Sequence, residues 1–174
     1  HGCEYSGIAG VGRFMRGLDT AALSGSIVAV PIVSPAMFAG RAAFLSPADG
    51  KNPNRCFLGD PDGTYSDQLA HHIFTELIAP SDALVDVHGG DLVEALEPFT
   101  LFDESPVAGR ACEMAIAYGL PYVVNPEPSD TAIGGTTSDA AAAAGIPAIT
   151  PEAGGCGLLE EDVVEAHVRG LCNV

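Results

Sequence analysis

The sequence predicts a three-layer α/β/α sandwich around a mixed, largely parallel sheet. Three observations lead there. Short β-rich runs alternate with helix-like stretches along the chain, and polar clusters sit where those runs end. The 174 residues match one domain, long enough to bury roughly two-thirds of its unfolded surface. Hydrophobic residues make up 47%, which excludes intrinsic disorder despite a strong charge imbalance.

Taken in order, residues 8–22 read as a helix with Ile8, Val11, Met15 and Leu18 at helical spacing on one face. Residues 26–33 read as a strand that Pro31 partly interrupts. The stretch 35–63 is rich in Pro, Gly, Asn and Asp and predicts a long irregular loop of functional kind. A helix follows over 64–78, with Ser66 as its expected N-cap and Pro80 as its stop. Residues 83–87 form a buried strand running into His88-Gly89-Gly90-Asp91. Further strands are expected at 99–102, 122–124 and 146–150. The matching helices are 107–118, an alanine-rich one opened by Ser138 and Asp139 and stopped by Gly145, and 160–170.

The 23 acidic and 7 basic side chains give a formal charge of −16. Such a surface repels a polyanion, so nucleic-acid binding is excluded. No apolar run approaches the ~20 residues of a membrane span, and no basic patch suits a lipid surface. Lys51 is the only lysine, a composition that fits a salt-adapted or GC-rich source. The five cysteines are odd in number and scattered, which predicts reduced thiols and a cytoplasmic setting.

Four groups of residues carry chemistry. His1 and Glu4, three apart, point the same way on a helix or tight turn, and both suit zinc. Asp86 and His88 alternate onto one face of a strand, so the carboxylate can orient the imidazole. Glu152 follows a strand and precedes Gly154-Gly155, which permits a sharp turn. A catalytic zinc needs three protein ligands, an open position and a base, and His1, Glu4, His88 and Glu152 supply that inventory. In the long loop, Arg55 beside Asn54 offers a planar fork and an amide, which suggests anion recognition.

The series His1-x-x-Glu4, Asn54-Arg55, Asp86-x-His88-Gly89 and Glu152-x-Gly154-Gly155 resembles the succinylglutamate desuccinylase/aspartoacylase family, relatives of the zinc carboxypeptidases. The stretches 45–59 and 151–157 also resemble that family, so the likeness spans essentially the whole chain. It implies one zinc ion held by His1, Glu4 and His88, with Glu152 as general base and proton shuttle. Asn54 and Arg55 would grip the substrate carboxylate or the polarised carbonyl. The implied reaction is hydrolysis of the amide of a small N-acyl amino acid. Family members also carry a strand before the first ligand and a β-rich region after the last helix. Residues 1–174 are therefore expected to be one catalytic domain, truncated at both ends relative to the family.

Relatives often place a further Arg ahead of the Asn-Arg pair, but Arg41 and Lys51 lack that spacing, which leaves oxyanion stabilisation to zinc and Arg55. Asp91 is expected to enter the pocket and favour a cationic or amino-bearing substrate. His71, His72 and His167 read as helix surface, Cys3 as a small buried thiol, and Cys156 as a candidate pocket-lining thiol. Gly7-x-x-Gly10-x-Gly12 departs from the dinucleotide fingerprint and reads as close helix packing, and no G-x-S-x-G elbow occurs. The competing functions are a zinc carboxypeptidase acting on peptides and a degenerate module that binds metal or carboxylate without turnover. Homo-oligomerisation stays open.

Overall fold

The structure, a computed structural model, describes residues 1–126 and 134–174. It runs α1 (Tyr5–Gly17), α2 (Pro35–Gly40), a 3-10 turn (Pro53–Arg55), then α3 (Tyr65–Ile73) continued by a π-helical turn (Phe74–Ile78). There follow β1 (Leu84–Val85), β2 (Ala95–Leu101), α4 (Ala108–Tyr118), β3 (Tyr122–Val124), α5 (Thr137–Ala143), β4 (Ala148–Gly155) and α6 (Glu161–Asn173). The strands form one sheet in the order β1-β4-β2-β3. β1 and β4 are parallel, β2 and β3 are parallel, and β2 meets β4 antiparallel.

Period-two alternation along paired strands divides the core. Leu84 and Ala148 lie on the face that packs with Ile78, Ala141 and Ile146. Their successors Val85 and Ile149 lie on the other face, with Phe102, Ala111, Met114, Ala115 and Tyr118. Helices thus cover both faces and complete three layers. The sheet is mixed, as the alternation of elements predicts. Full burial of Ile149 marks the centre of the larger cluster, where truncation to alanine costs about 2–5 kcal/mol.

Three sequence expectations need correction. Residues 26–33 form no strand: Pro31 removes a ladder donor, and Val28 is 70% exposed with no ladder partner among the described residues. α3 is capped by Thr64, not Ser66. The Thr64 hydroxyl and the Asp67 carboxylate form a capping box, while the Ser66 N–H and hydroxyl both donate to Asp49. The buried face of α1 is Ser6, Gly7, Gly10 and Phe14 rather than the stripe of Ile8, Val11, Met15 and Leu18. Small residues face inward because the helix sits so close: a Cβ on Gly10 would lie 2.7 Å from His167 Cβ. The close-packing reading of the glycine cluster therefore holds.

The long loop is more ordered than its composition suggests. Ser34 caps α2, whose first residue is Pro35, and Asn52 caps the 3-10 turn through the Asn54 N–H. Asp49 ties the loop to the start of α3 by accepting from Thr64 and Ser66. Burial works against its charge, yet these hydrogen bonds hold Asp49 down to about 2. No described helix is long and apolar enough to cross a membrane.

Candidate metal centre

His1, Glu4 and His88 present ligand atoms that all lie within 4.8 Å of one another. Glu4 occupies the N-cap position of α1, yet its carboxylate makes no cap and turns toward the two imidazoles. Oε1 contacts His1 Nδ1, and Oε2 lies 3.1 Å from His88 Nδ1. His1 is placed by the Gly2 N–H, which donates to Ala42 O at 3.1 Å. A Cβ on Gly2 would lie 2.2 Å from Met37 O, so only glycine permits that approach.

The far side of each ring is also engaged. His1 Nε2 lies 3.0 Å from Asn52 Oδ1, and His88 Nε2 lies 3.1 Å from Asp86 Oδ2. Both acceptors call for Nε2–H, which leaves both Nδ1 lone pairs directed at the carboxylate between them. Asp86 thus orients His88 as the strand alternation predicts. Asn52 does the same for His1, a role that sequence reading missed.

These donors fit a divalent cation of zinc type. Two imidazole nitrogens and one carboxylate form a familiar catalytic set, and both outer nitrogens are already oriented. The charges agree as well: Glu4, Asp86, Asp91 and Glu152 surround the two rings. Burial disfavours charge on His88, yet Asp86 and Glu4 push its value well above that of an ordinary histidine. Burial likewise opposes the charge on Glu4, but His88 holds it below the usual carboxylate range. A site that draws this much compensating positive charge suits a metal ion.

Glu152 lies within β4, not in the loop beyond it, and its backbone pairs with His88 in a parallel bridge. The His88 N–H donates to Pro151 O at 2.9 Å, and the Ala153 N–H donates to His88 O at 3.4 Å. The base candidate and a ligand therefore share one ladder. Burial pushes Glu152 up to about 7; His88 opposes this, and Glu4, Asp86 and Glu94 add to it.

Asn54 is fixed by the start of α5. Its Oδ1 accepts from the Thr137 N–H and hydroxyl, each at 2.8 Å, so the amide orientation is determined. Its Nδ2 consequently faces His88, 3.4 Å from Nε2. Arg55 is displaced from this cluster. It is exposed, donates to Asn54 O at 2.5 Å, and lines an open cleft of about 550 Å³ with Lys51, Asn52, Phe57, Asp60 and Asp67. Asn52 belongs to both cleft and cluster and joins them. Lys51 is paired with Asp67 at 2.5 Å, whereas Arg55 has no ion-pair partner among the described residues.

Other residues fall elsewhere. Asp91 is fully buried, with Oδ2 accepting from the Phe44 N–H at 2.8 Å and lying 3.6 Å from His1 Nδ1, and with Oδ1 accepting from the Leu92 N–H. His167 is not surface but fully buried. The signal for that was present: Val164, His167 and Gly170 recur at three-residue spacing on the inner face of α6. Cys3 is buried as expected, and Cys156 is exposed. Thr137, essential to the orientation of Asn54, carries no sequence signal because the two lie 83 residues apart.

A family model described as the succinylglutamate desuccinylase/aspartoacylase catalytic domain matches residues 1–174. The chain belongs to this family. It is 36% identical over 128 residues to an N-alpha-acetyl-L-2,4-diaminobutyric acid deacetylase from Halomonas elongata, covering 71% of this chain and 37% of that protein. Its fold matches a succinylglutamate desuccinylase/aspartoacylase from Rhodobacter sphaeroides with a TM-score of 0.89 and 30% identity, covering 99% of this chain and 51% of that one. The product-bound ectoine utilization protein EutE (DoeB) from Ruegeria pomeroyi matches with a TM-score of 0.90 and 27% identity, covering 99% and 53%. The chain thus spans about half the length of these solved structures, and less of the Halomonas relative.

Proposed function

We propose that this chain hydrolyses the amide of a small N-acyl amino acid, releasing a carboxylate and an amine, with one zinc ion held by His1, Glu4 and His88. The observation that carries this reading is the convergence of both Nδ1 atoms on Glu4 while Asn52 and Asp86 hold both Nε2 atoms. When bound, zinc supplies a Lewis acid that polarises the scissile carbonyl and acidifies water. Glu152 takes the proton from the attacking water and returns it to the leaving amine. A carboxyl held near 7 can both accept and release a proton at neutral pH. Asn54 Nδ2, aimed by Thr137, donates to the substrate beside His88. Arg55 grips the substrate carboxylate through its fork, a local positive charge in a protein of net −16.

The Halomonas relative is named for an acetylated diamino acid, which supports a small acyl-amino acid over a peptide as substrate. A carboxyl placed as a base beside the metal ligands supports turnover over a module that only binds. Residues 1–174 act as one catalytic domain, in a soluble cytoplasmic setting.

Metal content and activity of Glu152→Gln together test the reading. The wild type should bind one zinc and hydrolyse Nα-acetyl-L-2,4-diaminobutyrate or a related N-acyl amino acid. Glu152→Gln should keep the zinc and lose about 10²–10⁴ in kcat. A chain that takes up no zinc under any loading condition removes the foundation of the proposal.

A further inference from the structure

α6 carries a buried histidine that the proposed reaction does not touch. His167 Nδ1 lies 2.9 Å from the Tyr118 hydroxyl, and Nε2 lies 3.4 Å from Ala153 O. A carbonyl only accepts, so Nε2 carries the proton and Nδ1 accepts from Tyr118. Burial drives His167 down to about 4, which keeps this neutral tautomer throughout the neutral range.

Ala153 immediately follows Glu152, and both of its backbone groups are held. Its N–H donates to the carbonyl of the ligand His88, and its carbonyl accepts from His167. The same carbonyl sits against Gly89, where a Cβ would come within 2.6 Å of it. Two more glycines make room for the pair. A Cβ on Gly10 would lie 2.7 Å from His167 Cβ, and one on Gly170 would lie 2.3 Å from the Tyr118 ring.

We infer that His167, oriented by Tyr118, is a positioning residue that clamps Ala153 and so sets Glu152 against the metal-ligand strand. The inference rests on the reading of Glu152 as general base. Without the Nε2–H, the Ala153 carbonyl is left unpaired in the interior and β4 is freed to shift. A shift near 1 Å at a reacting group costs on the order of 100-fold in rate.

The test compares His167→Leu, which removes both ring nitrogens, with His167→Gln, whose amide can still donate to Ala153. Kinetics on Nα-acetyl-L-2,4-diaminobutyrate, zinc content and Ala153 amide exchange by NMR are measured for each. His167→Leu should lower kcat about tenfold or more. KM and zinc content should stay unchanged, and Ala153 should exchange faster than the other β4 amides. His167→Gln should restore most of both losses. Should His167→Leu fail to fold, Tyr118→Phe replaces it, with a smaller loss of kcat and the same selective change at Ala153. Wild-type kcat together with wild-type Ala153 exchange in the variant used overturns the inference. A fully active Glu152→Gln instead overturns the base assignment on which it rests. A uniform loss of protection across β4, with kcat unchanged, reduces His167 to a packing residue and also overturns the inference.

Discussion

Acidification from about pH 7 to about pH 4.5 protonates His167 in the unfolded chain but largely spares it in the folded one. The folded-state value is depressed from 6.5 to about 4 by burial between Tyr118 and Ala153. The sign follows from linkage: where the unfolded chain binds more protons, stability rises with pH, so it is lost as pH falls below about 6.5. The full gap corresponds to about 3 kcal/mol, of which about 2 kcal/mol is felt by pH 4.5. His167→Gln removes this titration while keeping a donor for the Ala153 carbonyl. Urea unfolding of both proteins at the two pH values, with a chelator present to suppress metal linkage, isolates the term. The wild type should lose about 2 kcal/mol more than the variant on acidification. Equal pH dependence in the two proteins would show that His167 already takes up its proton in the folded state, and the buried neutral clamp would be refuted.

Asp86→Asn removes the negative charge behind His88 Nε2 and should weaken zinc binding by about 10–100-fold in competition titrations, with little change in fold by circular dichroism. Arg55→Lys keeps the charge but loses the planar fork, and KM for an N-acyl amino acid should rise about tenfold with kcat nearly unchanged. Within α1, Gly10→Ala should destabilise by about 1–3 kcal/mol because its Cβ meets His167. Gly12→Ala, whose Cβ meets only the end of Arg16, should instead gain up to about 1 kcal/mol from helix propensity, and urea midpoints separate the two.

Much of the candidate centre was legible because its groups are close in sequence. His1 and Glu4 lie three apart in the turn that leads into α1, and Asp86 and His88 lie two apart in the extended segment that continues pairing with β4 beyond β1, so local geometry aligns each pair. Placing His88 beside Glu4 was a step that only the motif order suggested, and the fold achieves it by running Val87 and His88, beyond β1, against Gly7 in the first turns of α1. Asn52 and Thr137 remained hidden, because an amide or hydroxyl in a loop has no pattern until a distant partner fixes it. The misread strand at 26–33 shows the opposite failure. β-branched residues mark a segment that can pair, but pairing requires a neighbour.

The sequence by itself determined the mixed α/β architecture, the shared face of Asp86 and His88, and the identity of the metal-ligating and base candidates. These depend on periodicity and on residue chemistry, both of which are local properties. Tertiary structure alone decided that Asp91 is enclosed beside His1, and that Arg55 lines a cleft beside the cluster. Burial and charge environment belong to the packed arrangement. A carboxylate, a guanidinium or an imidazole acquires its role only when the fold sets what surrounds it.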